Sequence, residues 1–211
     1  MHDVERFDRW APTYDRHYLQ RLVFEPVQRT LLDLAASEVP NPVAVLDVGC
    51  GTGRLLTAAE QRFPKARLEG VDVAAGMIER PRSVLPAGCR INFQQSTAEQ
   101  LPFPDAQFDL VFSTMTFHHW SDQRKGIAEV ARVLTPAGRW LLADFIVDGF
   151  MRYVRQALRM RQFPERAGLE AMLGAADMRV VTFRRVPGLR GQVPVVAIER
   201  RPLQTPESGI G

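Results

Sequence analysis

An apolar run that reaches an aspartate and then three glycines at alternate positions, VLDVGCGTGRLL (Val45 to Leu56), constrains this chain more than any other feature. It reads as a buried strand handing over to a helix, and glycines, lacking a Cβ, let the backbone between the two bend sharply. In an open α/β sheet that turn lies beyond the carboxyl end of a strand, where ligands bind. Bare N–H groups there, with the positive end of the following helix dipole, suit a negatively charged group. A G-x-G alone is equally a tight turn with no ligand, so the surrounding spacing has to decide.

Spacing removes two ligands at once. A dinucleotide fingerprint needs G-x-G-x-x-G, but Arg54 stands three residues after Gly51 and Leu56 three after Gly53. A phosphate-binding P-loop needs a lysine beside its last glycine, and none is near. Downstream, Asp72 closes the next strand-like run in LEGVDVAAGMIER. An acidic residue there, roughly twenty residues past a glycine turn, is placed to accept hydrogen bonds from ribose hydroxyls.

The rest of the chain supports an α/β reading. Strand-like runs at Val43 to Val48, Ala66 to Val71, Arg90 to Gln94, Phe108 to Ser113 and Arg139 to Ile146 alternate with helix-like stretches. The helices are expected at Gly53 to Arg62, Ala75 to Leu85 (kinked or shortened by Pro81) and Asp122 to Leu134. Such alternation predicts a parallel sheet with helices on both faces. Arg179 to Val186 and Val193 to Arg200 have only PGLRGQ between them, too little for a crossover, so they should pair as an antiparallel hairpin. A helix from about Arg16 to Glu38 precedes the core and stops at VPNP, while TPESGIG at the end is a polar tail.

Composition bounds what remains. The chain has 211 residues, enough for one sizeable core, and 27 basic against 24 acidic residues leave a charge of only +3. Almost all the basic residues are arginines, with a cluster at Arg152, Arg155, Arg159 and Arg161 that reads most simply as a solvated helix face. Charge alone therefore implies no nucleic-acid partner. Cys50 and Cys89 fit neither a disulfide framework nor a zinc spacing, so no metal is expected. The charged start and the lack of a long apolar run point to a cytoplasmic protein without a membrane span.

With those residues in view, the chain resembles the class I S-adenosylmethionine-dependent methyltransferases, of the small-molecule, quinone-biosynthesis-like type. VLDVGCGTGRLL resembles the family's first motif, and GVDVAAGMIERPR its second. STAEQLPFPDAQFDLVFST resembles the segment running from the adenine-contacting loop into the fourth strand, and EVARVLTPAGRWLLADF the approach to the fifth. The resemblance implies a Rossmann-like sheet of seven strands, mostly parallel with an antiparallel last strand, in a single domain over residues 1–211. A helical cap (1–42), a cofactor-binding core (43–146), a helical substrate-side insertion (147–177) and the terminal hairpin (178–201) would be its parts.

Carried over by position, Asp47, Gly49, Cys50 and Gly51 would hold the methionine end of S-adenosylmethionine, and Asp72 the ribose hydroxyls. Val73 and Met77 would flank the adenine, although Met77 is equally readable as a core residue. Where the family commonly has an aspartate for the adenine amino group, this chain has Thr97, whose hydroxyl can accept the same bond without charge. Ala98 and Gln95 are alternative partners there. Ser113 and Thr114 would face the reacting centre. The aromatic segment FDRWAPTYDRHY resembles one that folds over the cofactor, with Tyr14 near the carboxylate, and core packing is the other reading.

Methyl transfer from a sulfonium is an in-line displacement that needs a base only when the acceptor must lose a proton. His118 and His119 in STMTFHHWSD are the candidates, with simple packing beside Trp120 as the alternative. The stretch after the fourth strand has neither a proline of the nucleic-acid amino-methylating type nor a double-glutamate loop. A small-molecule acceptor methylated on oxygen or carbon is thus expected, with nitrogen as the next alternative. The competing readings are a non-catalytic protein that binds S-adenosylmethionine or S-adenosylhomocysteine, and a nucleotide-sugar or NAD enzyme on the same sheet. Acceptor identity and oligomeric state leave no mark on the sequence.

Overall fold

The computed structural model describes residues 25–84, 88–147, 163–188 and 191–202. Tyr14, the aromatic segment around it and the Arg152 to Arg161 cluster lie outside them. Five parallel strands build the centre: β1 (Ala44–Val48), β2 (Arg67–Asp72), β3 (Ile91–Gln95), β4 (Phe108–Thr114) and β5 (Leu134–Ala143). The hairpin of β6 (Met178–Gly188) and β7 (Gly191–Arg200) completes a seven-stranded sheet in the order β3-β2-β1-β4-β5-β7-β6. β7 runs antiparallel to both β5 and β6.

Strands buried on both faces have continuous apolar runs, and β1 is buried at all five of its positions. Alternation then sorts its side chains. Val45 joins a layer with Val27, Leu31 and Leu34 of α1 (Glu25–Glu38), Leu55 and Leu56 of α2 (Arg54–Arg62), and Ile78 of α3 (Ala75–Val84). Leu46 and Val48 join the opposite layer, with Ile127 and Val130 of α4 (Gln123–Val133) and Leu169 and Leu173 of α5 (Arg166–Gly174). Each such leucine or valine contributes ~1.5–3 kcal/mol on burial.

α3 carries Pro81 inside it. One local expectation needs adjusting. β5 begins at Leu134 rather than Arg139, because Leu134 already pairs with Phe108 before an irregularity resets the register at Arg139 opposite Leu110. It also ends early, at Ala143, the last residue that pairs with β4, opposite Thr114, and with β7, opposite Val195.

The strand order reverses between β1 and β4, which creates the crevice where α/β sheets bind ligands. The turn after β1 and the segment after β4 form its two lips.

Candidate active site

The first lip is the glycine turn. Gly49, Gly51 and Gly53 all have positive φ, at 78°, 52° and 76°. The N–H groups of Gly49 and Cys50 both donate to the Val71 carbonyl, at 2.8 and 2.9 Å, tying the turn to β2. A Cβ at Gly49 would run into the Thr116 side chain on the other lip. At Gly51 a Cβ would meet nothing within 4 Å, because that side of the backbone faces the open cleft. One glycine therefore lets the lips close on each other, and the other leaves room for a ligand.

Asp72 braces the turn from below. Its Oδ2 accepts the Gly51 N–H at 2.9 Å and its Oδ1 the Ala74 N–H at 3.0 Å. Asp72 itself lines the cleft. Val73, Met77, Thr97 and Ala98 continue the wall, with Glu99, Trp120 and Ser121 closing it. Met77 is only 2% exposed, so it packs in the core and lines the cleft at once. Gln95 donates its amide to the Val73 carbonyl at 3.0 Å, while Thr97 is exposed at the rim.

Beneath the glycines lie two polar oxygens with no hydrogen-bond partner among the described residues: Asp47 Oδ1 and Thr114 Oγ1. Asp47 is opposite Phe112 in the parallel register, so Thr114, two residues on, emerges on the same face of the sheet. Burial, reinforced by the neighbouring Asp72 charge, raises the Asp47 carboxyl to about 8. Buried polar atoms are ordinarily paired, and a pair of exceptions at a ligand crevice marks a place for a donor.

Two expected contacts fall elsewhere. Ser113 is fully buried on the other face of β4, where its Oγ accepts the Trp140 indole N–H at 3.2 Å. Adjacent strand residues point to opposite faces, so Ser113 and Thr114 cannot both reach the cleft. Cys50 belongs to the glycine turn, but its side chain is buried in the core layer, close enough to Gly70 that a Cβ there would touch its Sγ. Burial and the nearby Asp47 and Asp72 raise its thiol well above the ordinary range.

The second lip carries the histidines on a short 3₁₀ turn, Phe117–His119. His119 lines the cleft. His118 turns toward the end of β5, where its Nδ1 lies 2.6 Å from Asp144 Oδ1. Asp144 and Thr116, with Glu99 and Ser121 on the wall, are site residues that the sequence did not single out. An acidic residue directly after an apolar strand, as in LLADF, was the available signal for the first.

Comparison with known proteins adds the lineage. Residues 45–138 match the family model described as "Methyltransferase domain". The chain is 37% identical over 146 residues to a demethylmenaquinone methyltransferase of Deinococcus radiodurans, a match covering 67% of this chain and 59% of the relative. It is 35% identical over 153 residues to a malonyl-[acyl-carrier protein] O-methyltransferase of Geobacter sulfurreducens, covering 72% and 56%. The chain thus spans less than two thirds of each of these two relatives. Among solved structures it resembles a Burkholderia thailandensis 1,6-didemethyltoxoflavin-N1-methyltransferase bound to its acceptor and S-adenosylhomocysteine. That likeness has a TM-score of 0.70 at 19% identity, covering 95% of this chain and 88% of that one, and shows the shared fold.

Proposed function

Residues 45–138 form a methyltransferase domain of the class I S-adenosylmethionine-dependent family, and from that premise we propose that the protein methylates a small molecule with S-adenosylmethionine. The observation that carries the reading is the pair of unpartnered buried oxygens, Asp47 Oδ1 and Thr114 Oγ1, under an open glycine turn. They suit the ammonium of an amino acid, which needs acceptors. The turn's N–H groups suit its carboxylate, and Asp72 the ribose. Val73 and Met77 offer apolar surface to the adenine, with Thr97 and Ala98 at its edge.

When bound, S-adenosylmethionine supplies an electrophilic methyl group on a sulfonium. The chain's own work is to orient that cofactor, hold the acceptor in line and exclude water. The acceptor is expected beyond the second lip, over the ends of β4 and β5, where His118 and His119 stand. The segment 147–177 would carry the discrimination between acceptors. Free Cys50 and Cys89 suit the reducing cytoplasm proposed as the protein's location.

Calorimetric titration with S-adenosylmethionine, S-adenosylhomocysteine and NAD tests the cofactor. The first two should bind, NAD should not, and Asp72→Ala should weaken the binding of both sulfur nucleotides roughly 10–150-fold. Incubation with phenols, quinols, small acids and a malonyl-acyl carrier protein then tests transfer. Absence of binding by both sulfur nucleotides would remove the methyltransferase reading, and binding without turnover on any acceptor would favour a sequestering protein.

A further inference from the structure

We infer that Asp144 and His118 form a proton-accepting pair for a hydroxyl-bearing acceptor, with Asp144 as the positioning residue and His118 Nε2 as the base. This rests on the methyltransferase reading above and specifies what the acceptor side of the same site does.

Asp144 has no exposed side-chain surface, yet three donors converge on it. His118 Nδ1 lies at 2.6 Å and the Phe145 N–H at 2.6 Å from Oδ1, and the His118 N–H lies 3.3 Å from Oδ2. An oxygen that accepts a backbone N–H and meets a ring nitrogen at that distance requires the ring nitrogen to donate as well. Asp144 therefore fixes the neutral imidazole with its proton on Nδ1. The lone pair is left on Nε2, which among the described residues has no hydrogen-bond partner. A histidine present only for packing would not need its tautomer set by a fully buried carboxylate 26 residues away in sequence.

The surroundings point the same way. The His118 ring stacks on Phe163 at 4.9 Å and 26°, meets Phe145 edge-on at 5.7 Å, and touches the His119 ring at 3.9 Å. His119 lines the cleft, so His118 is one ring removed from it, on the acceptor side. Its side chain retains 10% exposure, and Phe145, 41% exposed, offers an apolar surface beside it. Such a setting removes most of the water from around the ring.

The chemistry selects the acceptor class. An amine attacks as its free base, whereas a hydroxyl must give up its proton as the new bond forms. In the step proposed, the acceptor O–H proton moves to Nε2 and the oxygen lone pair forms the O–CH3 bond. The C–S bond electrons return to sulfur, which leaves S-adenosylhomocysteine, and the imidazolium beside Asp144 then releases the proton to solvent.

Two measurements that do not depend on turnover test the pair. Nitrogen-15 NMR, followed upward in pH until the ring is neutral, should show His118 protonated on Nδ1 and bare on Nε2. In Asp144→Ala nothing holds the proton on Nδ1 and the two tautomers should mix, while Asp144→Asn, whose oxygen can still accept from Nδ1, should keep it there. Second, 2-naphthol added to the protein saturated with S-adenosylhomocysteine should bind and shift the His118 Nε2 resonance, as its O–H donates to that nitrogen. Its affinity should fall in His118→Gln and Asp144→Ala, while both retain S-adenosylhomocysteine affinity. A proton on Nε2 in the wild type, 2-naphthol bound with no change at Nε2, or no binding of 2-naphthol would each overturn the proposal. Failure of S-adenosylhomocysteine to bind would instead strike the cofactor reading, and the tautomer measurement keeps the two failures apart.

Discussion

The two lips of the cleft are built on different principles. The lip after β1 is mostly backbone: glycines at positive φ, N–H groups tied to Val71, and an aspartate gripping Gly51 and Ala74. The lip after β4 is mostly side chain, two histidine rings in contact and one of them held by a carboxylate just past the end of β5. A backbone cradle recognises what every enzyme of a lineage shares, because it offers the same N–H groups whatever the side chains. A wall of side chains can be rebuilt for each acceptor without disturbing the cradle. The difference teaches where to look for cofactor and where for specificity.

The sharpest way to break that division is to add one methyl group at each of two glycines. Gly49→Ala must place a Cβ against Thr116 at φ 78°, so it should lower stability and abolish S-adenosylhomocysteine binding together. Gly51→Ala meets no protein atom, so thermal melting should show only the backbone penalty of ~1–2 kcal/mol while binding is lost as fully. Equal destabilisation by both would mean that the cleft beside Gly51 is not where a ligand sits.

Next in size is Asp72→Ala, which removes the acceptor for two backbone N–H groups and for the ribose. A loss of ~1.5–3 kcal/mol for a hydrogen bond to a charged group corresponds to roughly 10–150-fold weaker binding by calorimetry. The acceptor-side change His118→Gln should leave that affinity alone, which is the contrast the two lips require.

Asp47 gives a pH signature. Its carboxyl sits at about 8 in the folded protein against an ordinary 3.8, so the folded state holds a proton that the unfolded state releases between those values. That contribution to stability is complete below about 3.8 and is lost as the pH rises through about 8. Asp47→Asn should flatten this fall in a series of melting curves. At pH 7 an ammonium group arriving beside Asp47 should expel its proton, read as up to one proton released per S-adenosylhomocysteine bound when titrations in buffers of different ionisation enthalpy are compared. The Asn variant should release less.

The smallest effect is expected at Ser113. Replacing it with Ala strands the buried Trp140 N–H and should cost ~1–3 kcal/mol of stability, with no change in cofactor affinity. A binding defect there would show that the two faces of β4 are coupled.

Legibility in the sequence followed the same division. Asp47, Gly49, Gly51 and Asp72 were readable because they lie within short motifs, where a turn's backbone needs are met by the residues of the turn itself. The partnership of His118 with Asp144 was not readable, since nothing local connects the tip of one strand to the tip of the next. Ser113 was misplaced for a related reason: motif position marks the end of a strand, but the pleat decides which of two neighbours enters the cleft.

By itself, then, the sequence determined the alternation of strands and helices, the terminal hairpin and the glycine turn with its carboxylates, all consequences of periodicity and local conformational freedom. Only the tertiary structure decided that Thr116 closes on Gly49, that Asp47 and Thr114 share a face with unpartnered oxygens, and that Asp144 orients His118. Those are contacts between chain segments brought together by sheet register, and register is set by the packing of both faces of the sheet at once.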